Sequence, residues 1–246
     1  MASVGASPGD SPPTPTRLGI LGGFGSLATA HFYYRLVQLT PAAGDADHVP
    51  VTLVTVPSAP SRLEHLAGRG PTPLPHLIQA ARTLVGAGAD LLAIPSATCH
   101  AYYDDIARAV PVRILHLPTL VMQAVAAEGV RRVALMATTP TVQLGLYRAP
   151  ADRAGVILLT PDSATQAQVM TVIQHIKAGQ DPEAAQQRLT AIAGESWSDG
   201  ADALLLGCTE LPAVYAHAAR PSQRPTFDAT DELVRAVLRQ FGHPAK

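Results

Sequence analysis

Two residues with nucleophilic side chains, Ser96 and Cys208, occupy the same place in two matching stretches of the chain. Residues 88–98 and 200–209 both begin Gly-Ala-Asp and continue into a short apolar run, and the nucleophilic residue comes six positions after the Asp. The pattern predicts a duplicated strand-to-helix corner. If the halves pack about a pseudo-twofold axis, the corners face one cleft and place Ser96 and Cys208 on opposite sides of a small ligand. Such a pair suits chemistry that needs a group on each face of a carbon.

Alternating strands and helices must position these corners. Apolar runs of strand length alternate with segments of helical period, which predicts an α/β fold built on parallel sheet with crossover helices. The predicted helices cover residues 26–39, 73–85, 101–110, 119–128, 141–153, 164–178, 182–198 and 229–241. The eight predicted strands divide four and four, so we expect an N-terminal lobe over residues 17–118 and a C-terminal lobe over residues 119–228. Residues 229–246 are expected to form a helix that packs back on the N-terminal lobe. Ligands of such sheets bind beyond the carboxyl ends of the strands.

Composition and charge narrow the classes of function. The chain of 246 residues is 47% hydrophobic and 15% charged, which excludes disorder for most of its length. Its net charge is −1 and it has no basic block, so electrostatic attraction to nucleic acid or to an anionic membrane is not expected. The longest apolar runs are far shorter than the roughly 20 residues of a membrane-spanning helix. We therefore expect a small molecule as the partner.

The N-terminal residues and the cysteines indicate in which cellular compartment the protein is expected. Residues 1–16 are rich in Ser, Pro, Gly and Thr and have neither a basic start nor an apolar stretch, so we expect a disordered tail and no secretory signal. The two cysteines lie in different halves, which does not suggest a disulfide framework and fits a reducing cytoplasm. The nine His and two Cys show no short spacing of the zinc type, so no metal is expected.

A glycine-rich segment follows the first predicted strand, from Gly22 through Gly23, Phe24 and Gly25 to Ser26. Its glycines would let the backbone approach a ligand, Ser26 could cap the next helix, and an anionic group could sit there. A tight turn explains the same glycines. The spacing departs from the dinucleotide fingerprint and from the phosphate loop, so we expect no nucleotide cofactor.

Cys208 is the candidate base or nucleophile. We expect it at a helix N-terminus, where unpaired backbone N–H groups favour the thiolate. An inert core thiol is the alternative for Cys208, and a helix cap is the alternative for Ser96. Cys99 and His100 are adjacent, but neighbouring side chains on a helix diverge, so a catalytic dyad is not favoured.

Further polar residues fall near the expected ligand side. Arg62 is expected in the loop after the second strand, where its guanidinium could hold a carboxylate or could simply be solvated. Lys177 near a helix end has the ordinary explanation of a favourable helix C-terminus. Thr138 and Thr139 form a small polar turn that could donate hydrogen bonds to a carboxylate or could cap a helix.

Taken together, these segments resemble the cofactor-independent aspartate/glutamate racemases, most closely the aspartate racemase branch. The resemblance covers residues 18–241. It is carried by five segments: LGILGGFGSLATA at 18–30, PSATCH at 95–100, ATTPT at 137–141, IKAG at 176–179 and LGCTELP at 206–212. The resemblance implies two Rossmann-like lobes related by pseudo-twofold symmetry, with the active site between them, often in a homodimer, and with no cofactor.

The resemblance also implies roles for individual residues. In the family two cysteines flank the α-carbon of the substrate. Cys208 matches the second of them, and Ser96 stands in place of the first. Arg62 and Lys177 match basic residues that hold the side-chain carboxylate and activate the thiols. The matches to substrate-binding residues are Thr98, Thr139 and Thr209, and the family's Asn between the first cysteine and its threonine is Ala97 here. Thr138, Gly23 and Phe24 complete the expected substrate site.

The leading hypothesis is a racemase or epimerase of aspartate or glutamate. In it Cys208 abstracts the α-proton of the L-enantiomer and Ser96 donates a proton to the opposite face. A first alternative is a one-cysteine decarboxylase or cis–trans isomerase of a dicarboxylic acid, since a decarboxylase needs only one proton donor. A second alternative is a non-catalytic protein that binds carboxylates. Participation of Cys99 stays open.

Overall fold

A computed structural model describes residues 14–215 and 224–244. It has the predicted α/β architecture, with two four-stranded sheets in which every strand pair is parallel. The first sheet contains β1 (Leu18–Gly22), β2 (Val51–Thr55), β3 (Leu91–Ala93) and β4 (Arg113–Ile114). The second contains β5 (Arg132–Met136), β6 (Ile157–Leu159), β7 (Ala203–Leu206) and β8 (Thr226–Asp228).

The two sheets repeat each other in topology and in detail. Their strand orders are β2-β1-β3-β4 and β6-β5-β7-β8, so each strand has its counterpart four strands later. The Asp of each Gly-Ala-Asp turn accepts an equivalent backbone hydrogen bond in both halves. Asp90 accepts a hydrogen bond from the backbone N–H of Arg17, and Asp202 accepts one from that of Arg132, which ties each turn to the start of the first strand of its sheet. The predicted repeat is therefore confirmed.

Helices cover the sheets and connect their strands. The longer ones agree closely with the predicted segments, and the N-terminal half holds α1 (Ser26–Leu39), α2 (Arg62–Leu66), α3 (Leu74–Gly86), α4 (Tyr103–Arg108) and α5 (Leu117–Ala127). The C-terminal half holds α6 (Thr139–Gln143), α7 (Arg148–Ala154), α8 (Ser163–Lys177), α9 (Pro182–Ser198), α10 (Pro212–Tyr215) and α11 (Ala229–Gln240). Among the described residues, no helix is long and apolar enough to cross a membrane.

Two predicted helices differ in the structure. The helix expected over residues 141–153 is split into α6 and α7, because Gly145 adopts a φ of 61° between them, in the left-handed region that glycine favours. The helix expected over residues 101–110 is preceded by a 3-10 helix, Ala97–Tyr102, which runs directly into α4. Thus Cys99 lies on the tighter backbone of a 3-10 helix, and Ser96 is the extended residue that precedes this helix.

One apolar core joins the halves. It includes Leu18 of β1 and Val133 of β5, and α11 buries Leu233 and Val237 in it. α11 packs against α1 and against α5. The lobe boundary at residues 118 and 119 stays a prediction. Most of the expected tail, residues 1–13, lies outside the described residues, and Thr16 donates to the Asp90 carboxylate through its backbone N–H and its hydroxyl.

Candidate active site

The first corner holds Ser96, which lies three residues after the end of β3 and immediately before the 3-10 helix. Ser96 is 4% exposed and its side chain makes no capping hydrogen bond, so the helix-cap alternative does not explain it. His100 fixes this corner: its Nδ1 lies 3.0 Å from the Ser96 carbonyl oxygen, and its Nε2 lies 3.1 Å from the backbone N of Leu117. Burial lowers the pKa of His100 to about 4. The neutral ring therefore donates from Nδ1 and accepts at Nε2, and both nitrogens are committed to backbone.

The second corner holds Cys208 directly after β7. Cys208 lies in a turn, and α10 begins only at Pro212, so the expected position at a helix N-terminus is wrong. The turn packs closely against its own sheet, because a Cβ on Gly207 would meet Cδ1 of Leu135 at 2.5 Å. Cys208 is 5% exposed. The thiol accordingly does not lie at the N-terminus of α10.

A buried carboxylate, Glu210, links Cys208 to Lys177. The Cys208 thiol donates to Oε2 of Glu210 over 3.0 Å, and Nζ of Lys177 lies 3.0 Å from Oε1. Burial and the charge of Glu210 raise the pKa of Cys208 well above its usual value, while Lys177 lowers it. In this state the thiol is protonated. Sequence reasoning missed Glu210, although it stands two residues after Cys208 in one of the segments that carry the resemblance.

Hydroxyl groups from the two halves meet beside the corners. Thr98 Oγ1 lies 2.9 Å from that of Thr138 and 3.0 Å from that of Thr141, and the last two are 2.9 Å apart. Thr209 donates its hydroxyl to the Pro95 carbonyl oxygen over 3.3 Å. Since Pro95 precedes Ser96 and Thr209 follows Cys208, this contact brings the two corners together as the repeat predicts.

Thr139 lies apart from this hydroxyl cluster. Its Oγ1 accepts from Nε2 of Gln166 over 3.2 Å, and the same amide nitrogen donates to the Ala137 carbonyl oxygen over 3.0 Å. Of the two adjacent threonines expected to bind substrate, only Thr138 joins Thr98. The third hydroxyl of the cluster belongs to Thr141, which sequence reasoning missed.

Arg62 is a buried residue at the start of α2, so its expected placement in a loop is wrong. Its Nη2 donates to the Phe24 carbonyl oxygen over 2.6 Å, and the guanidinium carbon lies 5.6 Å from the centroid of the Phe24 ring. The buried Nε has no hydrogen-bond partner among the described residues. A guanidinium that is fixed in one orientation and has an unpartnered N–H donor is suited to binding a carboxylate.

The glycine-rich segment approaches the C-terminal half. Gly25 has a φ of 114°, and a Cβ there would lie 2.4 Å from Oε1 of Glu210. Thr29 holds the segment by accepting from the Gly23 N–H over 3.1 Å and donating to the Gly25 carbonyl over 3.0 Å. Gly25 itself precedes α1 as its N-cap, so the expected capping by Ser26 is wrong. The glycine lets the backbone approach the Glu210 carboxylate.

Substituting Gly25 with alanine should therefore destabilise the protein and displace Glu210. The φ of 114° costs an L-residue about 1–3 kcal/mol, and the added methyl group overlaps Oε1. Urea unfolding should show this loss of stability, with Gly44→Ala as the control because Gly44 has an extended φ of −162° and open space around it. Equal stability of the two variants would contradict the close approach.

Cys99 lies near the same charges as Cys208 but deep in the N-terminal core, with no exposed surface. Burial raises the pKa of the Cys99 thiol. The positive charges of Arg62 and Lys177 lower this pKa, as does a side-chain hydrogen bond with Ser96.

Among the described residues, no group of three His, Cys, Asp or Glu side chains is arranged to hold a metal ion.

Comparison with known families identifies the fold. A sequence model of the family described as "Asp/Glu/Hydantoin racemase" matches residues 21–237. The chain belongs to this family. The chain is 26% identical over 236 residues to the "Broad specificity amino-acid racemase RacX" of Bacillus subtilis, covering 91% of this chain and 97% of that protein.

Solved structures of racemases have the same architecture. The aspartate racemase of Picrophilus torridus superposes with a TM-score of 0.84 at 26% identity, covering 94% of this chain and 96% of that one. The glutamate racemase of Francisella tularensis, solved in complex with D-glutamate, superposes with a TM-score of 0.61 at 15% identity, covering 92% and 80%. This second likeness concerns the fold alone.

Proposed function

We propose that this protein is a cofactor-independent racemase of an acidic amino acid, aspartate or glutamate. One observation carries the proposal: the two repeated corners meet, through the 3.3 Å hydrogen bond from Thr209 to Pro95, and each presents one group able to transfer a proton. A planar carbanion placed between Cys208 and Ser96 would have a proton-transferring group on each face. Membership of the racemase family supports the same reaction class.

In the proposed reaction Cys208, as the thiolate, removes the α-proton of the L-enantiomer and Ser96 delivers a proton to the opposite face. Ser96 then regains its proton from water. A serine hydroxyl donates readily but is a poor base, being far less acidic than a thiol, whose pKa is roughly 8.5. Enantiomers have equal free energy, so kcat/KM must be equal in both directions. The serine therefore slows racemisation overall, and only kcat and KM can differ individually.

Substrate recognition in this proposal depends on donors for carboxylates. Arg62 supplies a guanidinium oriented by Phe24, with Nε unpartnered among the described residues, and Thr98, Thr138 and Thr209 supply hydroxyls near the corners. Lys177 is engaged by Glu210, so its proposed role shifts from holding the substrate to supporting the thiol. The proposed enzyme needs no cofactor or metal.

An amino-acid panel tests the substrate class. Purified protein is incubated with single enantiomers of aspartate, glutamate, alanine and lysine, and the products are resolved by chiral chromatography. We expect the opposite enantiomer from aspartate or glutamate and little from the others. Turnover confined to alanine or lysine would contradict the assigned role of Arg62. Consumption of a dicarboxylate without racemisation would instead favour the one-cysteine alternative, and binding without turnover would indicate a carboxylate-binding protein.

The homodimer and the cytoplasmic location implied above stay predictions. Several large apolar side chains are exposed on α1, which is consistent with a second copy covering this helix: Leu27, Tyr33, Tyr34 and Val37. Sedimentation velocity of the full chain should give a mass near 51 kDa, twice the 25.7 kDa of one chain.

A further inference from the structure

The buried carboxylate of Glu210 contacts Cys208, the proposed base. Its carboxylate is 2% exposed and lies between a thiol and an ammonium, with Sγ of Cys208 on Oε2 and Nζ of Lys177 on Oε1, each at 3.0 Å. The backbone of Gly25 closes the same side, since a Cβ there would overlap Oε1. The carboxylate is thus enclosed by the thiol, the ammonium and the Gly25 backbone.

The proposed reaction needs a thiolate, and the surroundings of Cys208 disfavour one. Burial and the neighbouring negative charge keep the proton on sulfur, and α10 begins too late in the chain to stabilise a negative charge on sulfur. Two other titratable groups face this sulfur: Lys177 at the end of α8, and Tyr147, which directly precedes α7. Lys177 is a cation, and Tyr147 donates its hydroxyl to the Gly207 carbonyl oxygen over 3.3 Å. Of these three, only Glu210 offers an acceptor for the thiol proton.

We propose that Glu210 is a positioning residue that takes the thiol proton of Cys208 and so creates the thiolate that acts on the substrate. This inference rests on the proposed function. Lys177 forms an ion pair at Oε1, and Oε2 accepts the hydrogen bond from the Cys208 thiol.

The proton transfer balances within the chain. The S–H bond of Cys208 breaks, its electron pair stays on sulfur, and an O–H bond forms at Oε2 of Glu210. The thiolate then accepts the α-proton, forming a new S–H bond as the Cα–H bond breaks. The summed charge of Cys208, Glu210 and Lys177 is unchanged by the first step. Glu210 returns its proton to water when the product leaves.

Two measurements distinguish a proton-accepting Glu210 from one that acts only through its charge or its packing: the pH midpoint of Cys208 alkylation and the rate of α-proton exchange. Because the charge of Glu210 raises the pKa of Cys208, Glu210→Gln should move the pH midpoint of Cys208 alkylation to lower pH. The same substitution removes the proton acceptor, so α-proton exchange should fall, by roughly 10² or more. A residue that only suppressed the thiolate would give faster exchange when neutralised.

The experiment follows iodoacetamide labelling of Cys208 and Cys99 by peptide mass spectrometry from pH 6 to 10, together with α-proton exchange in deuterium oxide. Glu64→Gln is the matched control, because Glu64 is also paired with a cation, Arg69, but at the surface. The control should behave as the wild type does. Labelling of the fully buried Cys99 reports any unfolding, and Glu210→Asp, which keeps the carboxylate, should recover part of the exchange.

The outcomes are distinct. A lower alkylation midpoint with slower exchange supports the proposal, whereas an unmoved midpoint, or exchange as fast as in the wild type, overturns it. If Glu210→Gln unfolds, Lys177→Met replaces it and should raise the midpoint, since Lys177 lowers the pKa of Cys208. A wild-type protein without exchange overturns the proposed function, and the positioning role of Glu210 with it. The alkylation midpoints then still report whether the side chains of Glu210 and Cys208 are coupled.

Discussion

Cys208→Ala should abolish α-proton exchange with solvent. The substitution removes the only group assigned to take the proton of the L-enantiomer, and general acid–base catalysis by one positioned side chain contributes roughly 10²–10⁴-fold to a rate. The expected residual rate is therefore at the limit of detection by NMR of the α-proton.

Cys99→Ala is the matched control for this loss. It makes the same chemical change at the other cysteine, which is fully buried in the N-terminal core. We expect a less stable protein that still exchanges the α-proton. Exchange that survives in Cys208→Ala and disappears in Cys99→Ala would show that the wrong thiol has been assigned.

Ser96→Cys should accelerate racemisation. It places a thiol at each of the two repeated corners, so that both faces of the α-carbon meet a group able to act as acid and as base near neutral pH. The serine is 4% exposed and sulfur is larger than oxygen, so a modest loss of stability is expected alongside the faster rate. Initial rates from each enantiomer, measured by chiral chromatography, give kcat/KM in both directions.

Ser96→Ala completes this comparison. Without a donor on the second face, Cys208 can remove and return a proton only on its own side, so exchange of the L-enantiomer should persist while inversion is lost. Inversion at the wild-type rate in Ser96→Ala would exclude the serine as the donor. A Ser96→Cys variant with no gain would argue that the two corners do not face the same carbon.

The repeat explains how much of the fold the sequence could predict. Strand positions followed from apolar runs, which are buried in the central strands of both sheets. The Gly-Ala-Asp turns marked equivalent points because Asp90 and Asp202 each bind the start of a neighbouring strand. The split between α6 and α7 was harder to foresee. Gly145 inside a helical pattern is often tolerated, and only its positive φ in the structure shows that the helix ends there.

The site was predictable in its residues and less so in its contacts. The corners were found, as were Thr98, Thr138 and Thr209, whereas Thr141 was missed. The sequence also gives no sign that Lys177 and Glu210, which are 33 positions apart, form an ion pair. Burial of Arg62 also depends on tertiary packing against Phe24. The placement of Cys208 at a helix start overlooked Pro212, since proline favours the first turn of a helix and marks where α10 begins.

Transfer of protons to both faces of the α-carbon is the central claim, and incubation with L-aspartate and L-glutamate in deuterium oxide tests it most directly. The α-proton is followed by NMR, and the enantiomers are resolved by chiral chromatography. We predict D-product that carries deuterium at the α-carbon. Deuterium found only in the L-enantiomer would contradict the role of Ser96 and leave Cys208 as a single base, and an unexchanged α-proton in both substrates would contradict the proposed racemase.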